Sequence, residues 1–293
     1  MLVYNIRMVL IPLILRILSN PTANVFQKKL TKNFGSFFVN CITYGGLSLF
    51  LLPFITAVDF LHLPFAIWKY AVIGGLFGAL GNAFLVKALS LGDLSVLGPI
   101  NSYKSVVAMI FGIFLLGEIP STTGILAVGL IIWGSYFIFD TVEEKFTLRL
   151  FKRKDIIYRI LALIFTALEA LMIKQVIILS DVMTSFIFWS VFGFVFSAIF
   201  LLLKQEQIKL PDKKSSLFFL ILISMFGLMQ ITTNYVFENM NVSYALALFQ
   251  LSSLINVIFG YKFFKEKHLI KKLIGTTIMI IGAVIIILGG GDE

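Results

Sequence analysis

Ten apolar segments, each about as long as a bilayer-spanning helix, make up most of this chain. A helix needs about 20 residues to cross the roughly 30 Å hydrocarbon layer, and only helices and closed barrels satisfy all their backbone groups in lipid. Hydrophobic residues make up 59% of the sequence and charged residues 13%, which excludes a soluble globular domain. The sequence therefore predicts an all-α polytopic membrane protein, with segments at 8–27, 34–57, 69–90, 94–117, 120–140, 157–179, 184–203, 215–239, 243–263 and 272–290.

The fourth segment carries a lysine close to its centre. Lys104 lies near the midpoint of the stretch from Ser95 to Glu118. This depth corresponds to about 15 Å from either face of the roughly 30 Å hydrocarbon layer. A lysine at that depth costs about 2.5–3.5 kcal/mol on insertion scales, so it must face a wet cavity or a buried partner. Pro99, which removes one helical hydrogen bond, comes shortly before it. Bent backbone and a charge at the midplane predict a binding site.

The first segment contains both a charge and a proline. Arg16 interrupts its apolar run, and the sequence S-N-P-T follows at residues 19–22. Proline removes a helical hydrogen bond and clashes with the preceding turn, so a kinked or discontinuous helix is expected. A cleaved signal peptide is the competing interpretation, but the arginine interrupts the apolar region and no A-x-A site follows. The segment is therefore predicted to span the membrane.

The two halves of the chain repeat each other with a shift of 148 residues. The shift places Glu118 on Glu266 and Gly134 on Gly282 without a gap. Five spans per half is an odd number, so the second copy must enter the membrane from the opposite side and form an inverted repeat. The predicted domains are a first five-helix repeat at 1–140, a connecting loop at 141–156 and a second five-helix repeat at 157–293.

The end of the fourth segment resembles a known transporter family. Leu116-Gly117-Glu118, followed by a short turn and a helix rich in small residues, is similar to the EamA type of the drug/metabolite transporter superfamily. The second copy, Phe264-Lys265-Glu266, has a lysine in place of the glycine, and a lysine also stands at the end of the first helix, at Lys28 or Lys29. The resemblance implies ten transmembrane helices as two inverted five-helix repeats around a central cavity, working by alternating access without ATP.

Ionisable residues within the apolar segments supply the candidate site. Arg16, Lys104, Glu169 and Lys174 are the deepest, and the resemblance places the first, third, fourth, sixth, eighth and ninth helices around the cavity. A cavity with two or three cations and one carboxylate suits a zwitterionic or anionic metabolite. The predicted substrate-binding residues are Lys104, Asn101, Glu169, Arg16, Asn82, Gln230, Asn234 and Gln250, with Glu118 and Glu266 as gating or helix-end residues.

The uncharged residues of the predicted binding site are identified by their spacing along the helices. Gln230 and Asn234 are four residues apart, and so lie on one face of the eighth helix. Asn82 is the repeat equivalent of Gln230, and Gln250 stands on the ninth helix near the position that corresponds to Lys104. These side chains extend the predicted polar surface beyond the charges.

Glu169 has two interpretations. It can form a structural ion pair with Lys104 or Arg16, because paired charges are tolerated in lipid and unpaired ones are costly. Alternatively, it is the titrating group that exchanges protons during a transport cycle. Lys174 lies nearer the end of its segment and is expected to extend toward the membrane interface.

The net charge of +9 falls in the links between apolar segments. The links after the first, fifth, seventh and ninth segments hold 18 Lys and Arg, and the links on the other side hold 2. The positive-inside rule then puts both termini outside the cytoplasm, whereas the resemblance implies that both are inside. The basic residues therefore indicate membrane topology, and nucleic acid is not an expected partner.

The sequence offers no metal, cofactor or catalytic cluster. Cys41 is the single cysteine, and His62 and His268 lie in different links, whereas zinc needs three or four clustered ligands. No group of His, Asp and Ser has catalytic spacing, so an enzyme is not expected. The expected partners are a small-molecule substrate and the lipid bilayer, and a homodimer is left open.

These observations predict a secondary transporter, a permease or exporter, of a small polar metabolite such as an amino acid. The expected location is the bacterial plasma membrane, as a multi-pass protein. The alternative is a flippase for a lipid or lipid-linked sugar, which a cavity open sideways to the bilayer with an apolar wall would favour. A purely structural membrane protein would not need several charges at the midplane.

Overall fold

The computed structural model is all-α over the residues that it describes, which are 2–59, 62–104, 106–107, 122–142, 147, 149–240 and 242–289. Short 3-10 helices occupy Leu52–Ala57, Pro99–Ser102 and Leu150–Lys152. The α-helices are α1 (Leu2–Leu30), α2 (Ser36–Leu51), α3 (Ala66–Leu91), α4 (Leu94–Leu97), α5 (Thr122–Phe139), α6 (Lys154–Leu179), α7 (Val182–Lys204), α8 (Lys213–Asn239), α9 (Val242–Phe249), α10 (Ser252–Phe264) and α11 (Leu269–Gly289).

Eight stretches of the described chain are long and apolar enough to cross a membrane. They coincide with the predicted segments other than the fourth and the tenth. The tenth segment, 272–290, corresponds to α11, and most of the fourth, 94–117, lies outside the described residues. The eight stretches are Val9–Leu30, Ser36–Thr56, Ala66–Leu91, Thr122–Phe139, Lys154–Leu179, Val182–Lys204, Lys213–Asn239 and Ala245–Phe264.

The first helix is uninterrupted, so the discontinuous alternative predicted at S-N-P-T is wrong. Pro12 and Pro21 both lie inside α1. Pro21 has no N–H to donate to the carbonyl of Ile17. One residue further on, the hydroxyl of Thr22 donates to the carbonyl of Leu18 at 2.8 Å. Serine and threonine hydroxyls of this kind help membrane helices to tolerate proline.

The fourth and ninth predicted segments are each interrupted. In the fourth, α4 ends at Leu97, a 3-10 helix follows at Pro99–Ser102, and helical backbone resumes at 103–104 and 106–107. In the ninth, a turn at 250–251 separates α9 from α10. A shift of 148 residues moves that turn onto 102–103, so the two breaks occupy equivalent positions. Proline explains the first break, whereas the second contains none and the sequence did not predict it.

Helices of the first half pack on helices of the second half in a two-fold pattern. α1 packs on α8 and α3 on α6, while α2 packs on α7 and α5 on α11. The short α4 packs on α10 in the same way. Replacing each helix by its repeat equivalent reproduces the four pairs between the long helices, so these parts of the two halves contribute alike to the bundle.

Aromatic side chains fill the core between α2, α7 and α8. The ring centroids of Tyr44 and Trp189 are 4.9 Å apart, and each ring also packs on Phe226, at 5.3 and 5.2 Å. Tyr44 is fully buried and Trp189 and Phe226 almost so. This aromatic triangle forms part of the wall of the cavity described below.

Links that hold many of the lysines meet at one face of the bundle. Lys28 donates a hydrogen bond to the carbonyl of Gly92 and pairs with Glu266 at 3.2 Å. The backbone N–H of Phe37 donates to Glu206 at 2.9 Å. These contacts join the links at 31–35, 92–93, 205–212 and 265–268, and their shared surface is called the basic face below.

Candidate functional site

A cavity lies between the two halves of the bundle, with an empty volume of about 1010 Å³ that includes the space at its mouth. Every helix from α1 to α10 except α5 contributes to its wall. The polar wall residues are Arg16, Asn20, Asn24, Gln27, Tyr44, Asn82, Asn101, Lys104, Arg159, Thr166, Glu169, Trp189, Gln230, Thr233, Ser252, Ser253 and Asn256.

Most of the predicted substrate-binding residues lie in this wall, and two lie behind it. Asn234 is fully buried and accepts a hydrogen bond from the Gln230 amide at 2.9 Å. Gln250 accepts one from the Asn101 amide at 3.1 Å. Each of these two therefore holds a wall residue in place without lining the cavity. The predicted residues that do line it are Arg16, Asn82, Asn101, Lys104, Glu169 and Gln230.

The guanidinium group of Arg16 has two contacts with neighbouring side chains and one donor without a partner in the part of the chain that the structure describes. Its Nε donates to the hydroxyl of Thr233 on α8 at 2.8 Å. Its guanidinium carbon lies 4.5 Å from the ring centroid of Phe249, which is a favourable cation–π distance. Its Nη1 is buried and has no hydrogen-bond partner among the described residues. The side chain is thus fixed in orientation and keeps an unused donor in the cavity wall.

Glu169 accepts a hydrogen bond from the indole N–H of Trp189. Glu169 and Lys104 both line the cavity, but neither forms a salt bridge within the described part of the chain. The structural ion pair of Glu169 with Lys104 or Arg16, which the sequence left open, is therefore not formed. Among the described residues, one carboxylate and three cations, from Arg16, Lys104 and Arg159, line the cavity, and none of the cations lies within salt-bridge distance of the carboxylate.

Gly78 on α3 makes room for the Glu169 carboxylate. A Cβ atom at Gly78 would collide with that carboxylate and would lie 2.9 Å from Trp189 Nε1 and 3.1 Å from Tyr44 Oη. Three polar groups from α2, α6 and α7 therefore surround one point on the backbone of α3. Glycine at this position lets them approach the backbone that closely.

Lys174, the fourth deep charge, does not line the cavity. Its ammonium donates to the backbone carbonyl of Phe237 near the end of α8. The Lys174 side chain is therefore bound to the backbone near the end of α8, and its predicted extension toward a membrane interface stays a prediction.

Arg159 is a wall residue that was predicted to be one of the 18 basic link residues, although it stands just inside the predicted segment 157–179. It lies inside α6, where its Nε donates to the carbonyl of Leu97 at 2.8 Å and its Nη2 to Asn101 Oδ1 at 3.0 Å. The Leu97 carbonyl is available because the N–H of Asn101 donates to Gly98 in the 3-10 helix. Without Arg159, the links on the basic side hold 17 Lys and Arg instead of 18, against 2 on the other side, so the charge bias between the two sides remains.

A polar stripe on α1 was also missed. Asn20, Asn24 and Gln27 follow one another at i, i+4 and i+7 and face the cavity. They donate to partners on other helices, namely Ser252 Oγ at 3.3 Å, Asn256 Oδ1 at 3.1 Å and Asn82 Oδ1 at 3.0 Å. The spacing was legible in the sequence, and it continues the face of Arg16.

Three buried polar atoms of the cavity wall have no hydrogen-bond partner among the described residues. They are Arg16 Nη1, Gln27 Oε1 and Tyr44 Oη. More than about 90% of buried polar groups in proteins are paired, so unpaired ones that share a cavity need an explanation. A donor, an acceptor and a hydroxyl in one cavity can hydrogen-bond a polar solute that carries both kinds of group.

Glu266 is the centre of a second buried polar cluster, which lies at the basic face. Its Oε1 accepts from the N–H of Leu94 at 2.9 Å and from Lys28 at 3.2 Å, and its Oε2 accepts from the N–H of Ser95 at 2.8 Å. Burial acts to raise the pKa of this carboxyl, but Lys28 and the α4 hydrogen bonds outweigh it and hold the pKa below its ordinary value. We call this cluster the Glu266 network.

Other residues of both halves complete the Glu266 network. Lys272 on α11 donates to the hydroxyl of Ser95 at 2.7 Å and lies 4.0 Å from Asp93. A Cβ at Gly260 would collide with the Glu266 carboxylate, so only glycine lets the backbone of α10 lie this close to that carboxylate. Glu118, the predicted counterpart of Glu266 in the first half, lies outside the described residues.

The sequence model of the EamA-like transporter family matches residues 9–140 and 153–288. The chain belongs to the EamA-like transporter family. Both halves match that one family, and the polar cavity lies between them. With its apolar helices, the chain is a multi-pass membrane transporter of the permease type.

A solved structure shares the fold of this EamA-like transporter. A crystal structure described only as that of a protein aligns with a TM-score of 0.68 at 14% sequence identity, covering 95% of this chain and 96% of the other. At that identity the likeness concerns the fold alone. No curated protein matches the sequence. Among the described residues, no group of three or more His, Cys, Asp or Glu could hold a metal ion.

Proposed function

We propose that this EamA-like transporter is a secondary transporter of a small zwitterionic or anionic metabolite, such as an amino acid, in a bacterial plasma membrane. The observation that carries the proposal is the set of buried, unpaired polar atoms in one cavity, Arg16 Nη1, Gln27 Oε1 and Tyr44 Oη. Burying such groups without partners costs about 1–3 kcal/mol each, and a bound polar solute removes that cost.

The charges of the wall favour a solute with a carboxylate. The free donor of Arg16 and the ammonium of Lys104 can bind a carboxylate, and charge-assisted hydrogen bonds of this kind are about twice as strong as neutral ones. Glu169 can accept from a solute ammonium beside Tyr44. Arg16, Lys104 and Glu169 thus match the two ends of an amino acid. Arg159, which is bonded to Leu97 and Asn101 in the same wall, adds positive charge that favours an anionic solute.

Alternating access requires that each side of the cavity opens in turn. We place the closure of the basic face in the Glu266 network, because Leu94 both lines the cavity and donates its N–H to Glu266. The network joins α1 and α4 of the first half to residues 266 and 272 of the second. Inverted repeats moving against each other would break these contacts, and the two-fold packing of the halves supports that motion.

Glu169 is proposed as the group that couples transport to protons. It lies in the cavity with one hydrogen bond from Trp189 and no salt bridge among the described residues, so a change in its charge would alter solute binding directly. Replacing Glu169 by Gln should abolish the pH dependence of transport. Unchanged pH dependence in that variant would reject this role and leave the binding role standing.

The test of the function is a metabolite screen followed by transport measurements. The purified protein in detergent is heated with each of a panel of amino acids, small anions and lipid-linked sugars, because a solute that binds only the folded state raises the melting temperature. Stabilising solutes are then measured for flux in proteoliposomes. Lys104→Ala should lower affinity about 10- to 100-fold, as expected for a lost charged hydrogen bond.

Lys87→Ala is the matched control, since Lys87 lies on α3 outside the cavity wall and its loss should leave affinity unchanged. Stabilisation by lipid-linked sugars alone, equally in wild type and Lys104→Ala, would reject the metabolite transporter in favour of the flippase.

A further inference from the structure

Three lysines from three helices converge at the edge of the basic face. Lys29 lies in the last turn of α1, Lys214 in the first turn of α8 and Lys262 in the last turn of α10. None of them forms a salt bridge within the described residues. The nearby carboxylate of Asp212 caps α8 by accepting from the N–H of Ser215 at 3.0 Å, and the charge of Lys214 also stabilises it. Three positive charges therefore share this edge with one nearby carboxylate, beyond salt-bridge distance.

Phenylalanine rings connect the three lysines through cation–π contacts. The Lys29 ammonium lies 5.1 Å from the ring centroid of Phe26, 5.4 Å from that of Phe218 and 4.9 Å from that of Phe263. Lys214 lies 5.9 Å from the Phe218 ring and Lys262 lies 5.8 Å from the Phe263 ring. Each outer lysine thus shares a ring with Lys29, and these cation–π contacts orient the cluster.

The cluster stands at one end of a surface strip along α1. α8 and α10 both pack on α1, and the strip of surface along α1 between these two helices is called the groove below. Leu217 lies one turn along α8 from Lys214, and Ile258 one turn along α10 from Lys262. Both are exposed, by 54% and 44%, in helices that are apolar enough to span a membrane. The groove therefore offers an apolar path that ends in positive charge.

We propose that this groove binds one anionic phospholipid, with its phosphate at Lys29, Lys214 and Lys262 and an acyl chain along Leu217 and Ile258. The charges match a phosphate headgroup, and the apolar path matches the chain of a lipid in the same leaflet. The site lies on the outer surface of the bundle, and its three lysines are not part of the cavity wall.

Native mass spectrometry and melting curves test the lipid site. The wild-type protein in detergent is supplied with phosphatidylglycerol, phosphatidylcholine or inorganic phosphate. Wild type should retain one phosphatidylglycerol in preference to phosphatidylcholine, and its melting temperature should rise with phosphatidylglycerol but not with inorganic phosphate. Lys29→Gln combined with Lys214→Gln and Lys262→Gln should lose the retained lipid and at least half of that rise.

The matched control replaces Lys32, Lys204 and Lys209 by Gln, which removes the same charge from exposed positions of the basic face. The control should keep both the retained lipid and the rise. Equal loss in the two triple variants, equal retention of the two lipids, or equal stabilisation by inorganic phosphate would each overturn the proposal. The double variant Lys214→Gln with Lys262→Gln changes exposed lysines only, and it provides the same comparison if the triple variant does not fold.

Discussion

The Glu266 network and the central cavity are both buried polar clusters, but they are built in opposite ways. Both oxygens of Glu266 accept hydrogen bonds, from backbone amides of α4 and from Lys28. In the cavity, Arg16 Nη1 and Tyr44 Oη have no partner among the described residues. Leu94 belongs to both regions, because its N–H binds Glu266 while the residue also lines the cavity.

This difference predicts that the Glu266 network contributes to stability and the cavity to solute binding. A buried charge whose hydrogen bonds are complete destabilises the protein strongly when one partner is removed. A buried polar atom without a partner contributes no such bond, so its removal leaves stability unchanged or improves it. Substitutions in the Glu266 network should therefore act mainly on stability, and substitutions in the cavity mainly on transport.

The largest effect is expected from Glu266→Gln. It leaves the Lys28 ammonium without its carboxylate, so the free energy of unfolding should fall by about 3–5 kcal/mol and the melting temperature in detergent by roughly 10 °C. Glu238→Gln is the control, because Glu238 is an exposed carboxylate at the end of α8. If the two variants have the same melting temperature, the Glu266 network does not stabilise the fold, and the contrast drawn between the network and the cavity fails.

Gly78→Ala should reduce transport about tenfold, because the added methyl group displaces the Glu169 carboxylate and misplaces the binding groups. Uptake into proteoliposomes measures the effect. Gly129→Ala makes the same chemical change on α5, where a Cβ would meet nothing within 4 Å, and it should transport like wild type. Equal transport by both variants would show that the contact with Glu169 has no role in binding.

Tyr44→Phe and Tyr103→Phe provide a smaller contrast between an unpaired and a paired hydroxyl. Tyr103 donates to Ser135 at 2.8 Å outside the cavity wall, so losing its hydroxyl should cost about 1 kcal/mol of stability and leave solute affinity unchanged. Losing the Tyr44 hydroxyl should leave stability unchanged within about 0.5 kcal/mol and weaken solute binding about fivefold. Melting curves and solute titrations distinguish the two, and a reversed pattern would contradict the assignment.

The smallest effect is the pH dependence of the Glu266 network. The folded-state pKa of Glu266 lies below the ordinary value of 4.5. Its contribution to stability is therefore fully present above about pH 5 and is lost as the pH falls through the folded-state pKa. The difference in melting temperature between wild type and Glu266→Gln should shrink as the pH is lowered from 7 to about 3. A constant difference over that range would mean that the charge of Glu266 does not stabilise the fold.

Sequence reasoning recovered the residues whose chemistry is unusual for their surroundings. Arg16, Lys104 and Glu169 stood out because charges are rare in apolar segments, and all three line the cavity. Arg159 was missed because a basic residue near the end of a segment has the same pattern as a topology signal. Tyr44 was missed because a tyrosine in an apolar helix is an ordinary core residue until its hydroxyl is known to lack a partner.

The local sequence pattern also could not show where polar groups of neighbouring helices form hydrogen bonds with one another. The turn at 250–251 contains no proline or glycine. It is accommodated by tertiary contacts, including the hydrogen bond from Ser253 to the carbonyl of Gly98 on the other broken helix. Gln250 and Asn234 have the polarity of ligand residues, and only the packing places them behind the wall.

Hydrophobic length, residue spacing and internal register are properties of the chain alone, and they were enough to predict a helical membrane protein with two related halves and with charges inside its apolar segments. Which polar groups are paired, and which remain unpaired in the cavity wall, depends on how the helices pack. That outcome depends on contacts such as Glu266 with Leu94 and Glu169 with Trp189, which join residues far apart in the sequence. Hydrogen bonds form over about 3 Å, and only the packing of the helices brings such groups within that distance.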